Sequence, residues 1–279
     1  MNVTVNDCGL FVNVAGQGSP IIAHHGAPGL GSHATPKRAF QPLADAHTVI
    51  TFDARGSGRS EGKPPYTHEQ WVDDVDGLRQ HFGYEQFILT GGSYGGFISL
   101  EYAVRHPERL THLILRDTAA RSYSEQARAN ALARAKEFPA ITEDILDRIF
   151  DGTVRDNDDY KRCFEAIAPL YEKVYDPEKV RQKVEAITFR YETKNYAFAH
   201  NLPTYDLRES LPQVTVPTLI VVGRHDWITP VEASEELAGL LPNAELVVFE
   251  DSGHSPQLEE NERFIALARD FLTRHGAYD

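Results

Sequence analysis

At 279 residues, 41% of them hydrophobic, the chain can bury a full sheet core and is long for one simple domain, so a single core carrying an insertion is the natural parse. A net charge of −13 without a compensating basic run argues against nucleic acid or anionic membrane as a partner. No apolar stretch approaches the about 20 residues that span a bilayer, and the N-terminus lacks a basic-then-apolar signal segment, so a cytoplasmic protein is expected.

Taken in chain order, the apolar segment 20–24 reads as a strand and leads into His25-Gly26-Ala27-Pro28-Gly29, a turn in which Gly26 is expected to relieve the backbone and Pro28 to fix the bend. The next strand, 48–52, is followed by Asp53-Ala54-Arg55-Gly56-Ser57-Gly58-Arg59-Ser60. That loop has the start of a dinucleotide fingerprint but no third glycine, and Pro64-Pro65 interrupts any helix there. It reads as scaffold, and no cofactor is expected.

The most specific signal follows the apolar run 87–89. Gly91-Gly92-Ser93-Tyr94-Gly95 stands between a strand signal and the helical stretch 97–103. A serine at such a turn is held in a strained conformation that lifts its hydroxyl clear of the sheet, and small residues two positions away allow close chain approach. Ser93 is the candidate nucleophile.

A serine nucleophile needs a base, and the base needs a carboxylate to fix its tautomer, in the chain order Ser, acid, His for this type of elbow. The buried strand 218–223 ends in Arg224-His225-Asp226, and the strand 245–249 is followed by Asp251-Ser252-Gly253-His254-Ser255. Asp226 fits the acid and His254 the base. Asp117, just after the strand 113–115, is the rival acid, and His225 a weaker rival base. The backbone N–H groups of Ala27 and Tyr94 are placed to form an oxyanion hole. His25 is expected to buttress its loop.

Residues 118–208 read as helical throughout: 124–136 is rich in Ala, Arg and Glu, Thr142 can cap 143–150, and Pro177 can open 178–187. This insertion carries 15 Lys+Arg against 16 Asp+Glu, which leaves 13 against 25 elsewhere, so the acidic excess belongs to the core. The expected organisation is a first core part at 1–117, a helical cap at 118–208 that covers the strand ends and shapes the substrate pocket, and a second core part at 209–279. Cys8 and Cys163 fall far apart, which implies neither a disulfide framework nor a cysteine metal site, and no metal is expected.

Together these segments resemble the α/β-hydrolase fold, and more closely the proline iminopeptidase family of serine peptidases. The family's His-Gly-Gly-Pro-Gly loop corresponds to residues 25–29, its Asp-x-Arg-Gly-x-Gly-x-Ser loop to 53–60, and its Gly-Gly-Ser-aromatic-Gly elbow to 91–95. Gly223-Arg224-His225-Asp226 with Thr229-Pro230 matches its acid loop, and Ser252-Gly253-His254 its histidine loop. The resemblance implies a mostly parallel sheet with helices on both faces, an inserted helical cap, and the triad Ser93, Asp226 and His254. Ala27 departs from the family by replacing the second glycine of the loop.

In that family, cap glutamates bind the free α-amino group of the substrate. Glu192, beside Tyr191 and among further aromatics, is the candidate for this role, with Glu165 second; the alternative is that Glu192 pairs with Arg190 or Lys194 on a solvated helix face. The reading that follows is an aminopeptidase releasing N-terminal proline or another small apolar residue from a small-molecule or short-peptide substrate. Two alternatives stand beside it: a carboxylic-ester, lactone or amide hydrolase on the same triad, and a non-catalytic ligand-binding member of the fold.

Overall fold

The computed structural model describes residues 1–277. Its centre is a sheet whose strands are β1 (Asn2–Val5), β2 (Cys8–Ala15), β3 (Ser19–His24), β4 (His47–Phe52), β5 (Phe87–Gly92), β6 (Leu110–Arg116), β7 (Thr218–Gly223) and β8 (Ala244–Phe249). They lie in the order β1-β2-β4-β3-β5-β6-β7-β8. The first two strands run antiparallel to their neighbours, and all pairings from β4 onward are parallel.

The helices in chain order are α1 (Ala34–Phe40), α2 (His68–His81), α3 (Tyr94–Arg105), α4 (Ser124–Ala133), α5 (Glu143–Phe150), α6 (Asn157–Ile167), α7 (Pro177–Glu185), α8 (Tyr191–Tyr196), α9 (Val231–Leu240), α10 (Pro256–Glu259) and α11 (Asn261–Arg274). Which face each covers follows from the two-residue period of the strands. Ile22, Leu89, Leu113, Leu115 and Ile220 point to one side, where Val75 and Leu78 of α2, Ile98 of α3 and Leu237 of α9 bury them. Their neighbours Ile21, Ile88, Ile114, Leu219 and Val221 point to the other, against Phe40 of α1 and Phe264 and Phe271 of α11. Parallel strands buried on both faces explain why these segments read as unbroken apolar runs.

Register sets the geometry of the functional end. His24 pairs with Gly91, Gly92 with Arg116, and Gly223 with Phe249, so β3, β5, β6, β7 and β8 finish along one edge. The chain passes from β3 outward to β4 and then returns to β5 on the opposite side of β3. The crevice beyond the strand ends at such a reversal is where open α/β sheets bind ligands.

Between β6 and β7 the regular elements of the described chain are all helices, joined by loops, and one bridge pairs Arg121 with Asp206. Leu207 N–H also donates to Ala120 O (2.8 Å), so the segment leaves and returns side by side. It has its own apolar cluster, with Leu146 and Ile149 of α5, Cys163 and Phe164 of α6, and Val184 of α7, and Trp227 from the loop after β7 joins it. Polar contacts tie α8 to the sheet-edge loops: Arg190 N–H donates to Gly29 O (2.7 Å) and Thr193 Oγ1 to Gly56 O (2.9 Å). The 53–60 loop is internally braced. Asp53 accepts from His33 and Arg59 backbone N–H groups, and the buried Arg55 guanidinium makes a two-pronged contact with Asp74 at 2.8 Å each.

Candidate active site

Ser93 leaves β5 with φ 54° and ψ −128°, a conformation that costs a side-chain-bearing residue on the order of 1–3 kcal/mol. Neighbouring groups hold it there. Ser93 N–H donates to Arg116 O (2.9 Å), and Ser93 O accepts from Gly96 N–H (2.9 Å) and Thr118 Oγ1 (3.0 Å). The flanking glycines are required by space: a Cβ on Gly91 would lie 2.2 Å from Gly95 O, and one on Gly95 would lie 2.3 Å from His25 O.

The loop after β3 packs directly on this turn, and here the expected role of Gly26 is corrected. The left-handed residues are Ala27 (φ 47°) and Gly29 (φ 70°). Gly26 is needed for proximity, because a Cβ there would lie 2.8 Å from Gly92 O and 3.0 Å from Ser93 Cβ. His25 buttresses the loop: its Nδ1–H donates to Gly26 O (2.7 Å) and its Nε2 accepts from Ala54 N–H (2.9 Å). Both ring nitrogens are thus committed, and burial lowers its pKa, which keeps the ring neutral. Ala27 and Tyr94 face the same cavity as Ser93. Tyr94 is the first residue of α3, so its N–H has no intrahelical acceptor.

Past β8, His254 is placed by its neighbours. Its N–H donates to Tyr171 O (2.7 Å), its ring meets the Tyr171 ring edge-on at 5.5 Å, and its Nδ1–H donates to Asp226 Oδ2 at 2.7 Å. Asp226 is in turn fixed by Ile228 N–H (2.8 Å) and Thr229 N–H (3.2 Å) on Oδ1 and by the Thr229 hydroxyl (2.9 Å) on Oδ2. Burial alone would lower the His254 pKa, but the Asp226 carboxylate more than offsets it, and the imidazole lies above its ordinary value.

Asp117 reaches the same cluster, and one ligand atom from each of Asp117, Asp226 and His254 lies within 4.8 Å of the others. Its contacts differ. Asp117 Oδ1 accepts from Gly223 N–H (3.1 Å), and its Oδ2 is buried without a partner. Burial, then the Asp226 charge, pushes the Asp117 carboxyl well above the usual range, and the carboxylate hydrogen-bonded to the imidazole is that of Asp226. His225, the rival base, is exposed.

Two cavities meet at Ser93 and Ala27. The first runs under the helical segment and is walled mostly by aliphatic and aromatic side chains from Phe97 to Trp227. The second contains Ser93 together with His254, Arg116 and Asp117. Neither is lined by Glu192, Tyr191 or Glu165. Glu192 and Glu165 are exposed, and Tyr191 packs against the apolar cluster of the helical segment. The alternative, Glu192 pairing with Arg190 or Lys194, is not seen among the described residues either: Arg190 donates to Gly58 O and Ser60 O, and Lys194 to Ile149 O. The α8 residue that lines the first cavity is Lys194, whose charge marks it in sequence as a surface residue.

Sequence reasoning also missed Tyr171, whose carbonyl holds the His254 loop, and the Glu101–His68–Tyr94 chain behind the elbow. There His68 Nδ1–H donates to Glu101 (2.5 Å), and His68 Nε2 shares a hydrogen bond with the Tyr94 hydroxyl (2.6 Å). No local motif signals either one, since each partner is remote in sequence.

Residues 19–261 match the family model described as alpha/beta hydrolase fold. The chain is 33% identical to proline iminopeptidase PfmaB of Pestalotiopsis fici over 98% of this chain and 99% of that protein. It is 29% identical to 2-hydroxymuconate semialdehyde hydrolase of a Pseudomonas species, covering 94% and 90% of the two chains. Among solved structures, a thermophilic esterase from Thermogutta terrifontis superposes with a TM-score of 0.73 at 29% identity, covering 99% and 98%. The matched span includes every loop that carries Ser93, Asp226 and His254, and the chain belongs to the α/β-hydrolase family, with a proline iminopeptidase-like sequence.

Proposed function

We propose that the protein is a serine hydrolase that cleaves carboxylic esters, or comparably activated acyl compounds, whose acyl chain is mostly apolar and which need no free amine. The observation that carries the mechanism is a strained Ser93 sharing a cavity with His254, which is itself hydrogen-bonded to Asp226 at 2.7 Å. Ser93 Oγ attacks the acyl carbon while His254 Nε2 takes its proton. The oxyanion receives hydrogen bonds from Ala27 and Tyr94 N–H, and the imidazolium returns the proton to the leaving alcohol. Water, deprotonated by the same imidazole, then releases the acid and regenerates Ser93. Asp226 holds the tautomer and stabilises the imidazolium. The helical segment 118–208 acts as a cap that walls the acyl pocket and excludes water.

The substrate class rests on the cavity under the helical segment. Its lining includes no Asp or Glu to meet an ammonium group, and the carboxylates proposed for that role are exposed. An aminopeptidase would need such a partner, because a buried cation without a counter-charge is strongly unfavourable. The aminopeptidase reading remains the second one, supported by the name of the relative that is 33% identical. A panel of amino-acyl arylamides, their N-blocked forms and simple aryl esters decides between them. Ester turnover that exceeds both amides, with no gain from a free amine, is the expected result; preference for the free-amine arylamide would restore the aminopeptidase.

A further inference from the structure

The cavity under the helical segment holds two nitrogen donors with unused capacity in a mostly apolar lining. Lys194 is 3% exposed, donates from Nζ to Ile149 O at 2.5 Å, and lies over the Phe198 ring. Among the described residues it has no carboxylate partner. Trp227, 5% exposed, lines the same cavity, and its Nε1–H is buried without an acceptor. The two are linked around one wall by ring contacts, Phe198 to Phe150 at 6.3 Å and Phe150 to Trp227 at 6.4 Å.

Polar groups buried in an apolar site are unfavourable unless hydrogen-bonded, and a buried ammonium needs an anion. Burial pushes the Lys194 pKa well below the ordinary lysine value, since no carboxylate lines this cavity to offset the loss of solvation. Ile149 O near the C-terminal end of α5 occupies one donor direction. The remaining Lys194 donors and the Trp227 N–H are left for an occupant that brings acceptors.

We propose that Lys194, assisted by Trp227, is a specificity residue that binds a carboxylate carried by the substrate's acyl group away from the bond being cleaved. The preferred substrates are then half-esters of dicarboxylic acids, or acyl compounds with an equivalent remote anion. An anion entering the cavity favours the charged form of the lysine and gains a charge-assisted hydrogen bond in a region that excludes water. The inference rests on the serine-hydrolase reading above.

The test compares 4-nitrophenyl half-esters of adipic, suberic and sebacic acids with the matching mixed methyl 4-nitrophenyl esters, using the parent protein, Lys194→Met, Trp227→Phe and Ser93→Ala. The parent is expected to favour at least one half-ester over its methyl counterpart. Lys194→Met should lose about ten- to a hundredfold in kcat/KM on that half-ester, mainly through KM, and stay within about twofold on the methyl ester. Trp227→Phe should shift selectivity in the same direction by a smaller factor. An equal effect on both ester types, with a lowered Tm, would make Lys194 a cap for α5 only and overturn the proposal. Methyl-ester hydrolysis that persists in Ser93→Ala would instead remove the serine-hydrolase reading beneath it. If Lys194→Met does not fold, unchanged selectivity in Trp227→Phe together with no half-ester preference in the parent also overturns it.

Discussion

The strand-edge loops and the helical segment over them are held in place by different physics. At the sheet edge, backbone constraints dominate: Ser93, Ala27 and Asp117 all have positive φ, and Gly26, Gly91 and Gly95 stand where any Cβ would collide with nearby backbone. In the helical segment, burial of α4 to α7 around their own apolar cluster does the work, with loop contacts made by Arg190, Thr193 and Tyr171. The first kind of constraint permits few residue types and writes a motif. The second permits many, so chemistry is legible at the edge and specificity is not legible in the segment above it.

If the edge carries the chemistry, its residues should fail as a unit. Ser93→Ala is expected to lower kcat on an aryl ester by roughly 10⁴- to 10⁶-fold with the fold retained by circular dichroism. The double change with His254→Ala should be no worse than either alone. Activity of Ser93→Ala within tenfold of the parent contradicts the mechanism.

The two aspartates sharpen the comparison within the edge itself. Asp226→Asn removes the acceptor of His254 Nδ1–H and is expected to cost roughly 10³- to 10⁴-fold in kcat, whereas Asp117→Asn leaves that hydrogen bond in place and should stay within about tenfold. The reverse order would move the acid role to Asp117. The pH profile carries the same information. His254 must be neutral to act, so kcat/KM should rise with pH through a pKa above the ordinary histidine value. Asp226→Asn should move that limb to lower pH, since burial then acts without the carboxylate. The linked stability has the opposite sense: because the folded pKa is raised, stabilisation by charged His254 is full below the unfolded pKa and is lost as pH rises through the folded one.

Smaller effects should separate proximity from conformation in the loop after β3. Gly26→Ala places a methyl 2.8 Å from Gly92 O and 3.0 Å from Ser93 Cβ, and a loss of about ten- to a hundredfold in kcat is expected together with a lowered Tm. Ala27→Gly removes a left-handed penalty while making the unfolded chain more flexible, so stability should change by less than about 1 kcal/mol and the N–H donor should be retained. A large kinetic loss in Ala27→Gly would show that the methyl, and not the amide, is what the site needs.

The same contrast explains what could be read in advance. The strand 218–223 and the capped helix 143–150 match β7 and α5, with Thr142 Oγ1 accepting from Ile145 N–H, because an apolar run and a cap are local signals. The elbow was legible because strain and close approach leave glycine as the residue that fits. Glu192 was chosen for its aromatic neighbours in sequence, but Thr193, Lys194 and Ala197 form the buried face of that helical stretch and Glu192 lies off it. Nothing in a single chain reveals that Lys194 is buried, since its carbonyl partner Ile149 lies 45 residues away.

The central claim, that Ser93 is the nucleophile poised by His254, is tested most directly by covalent trapping. The intact protein is treated with a neutral aryl-phosphonate ester, and the modified peptide is mapped by mass spectrometry. One adduct on the peptide bearing Ser93, absent in Ser93→Ala and formed far more slowly in His254→Ala, is predicted. An adduct on another residue, or labelling of Ser93 at the same rate without His254, would contradict it.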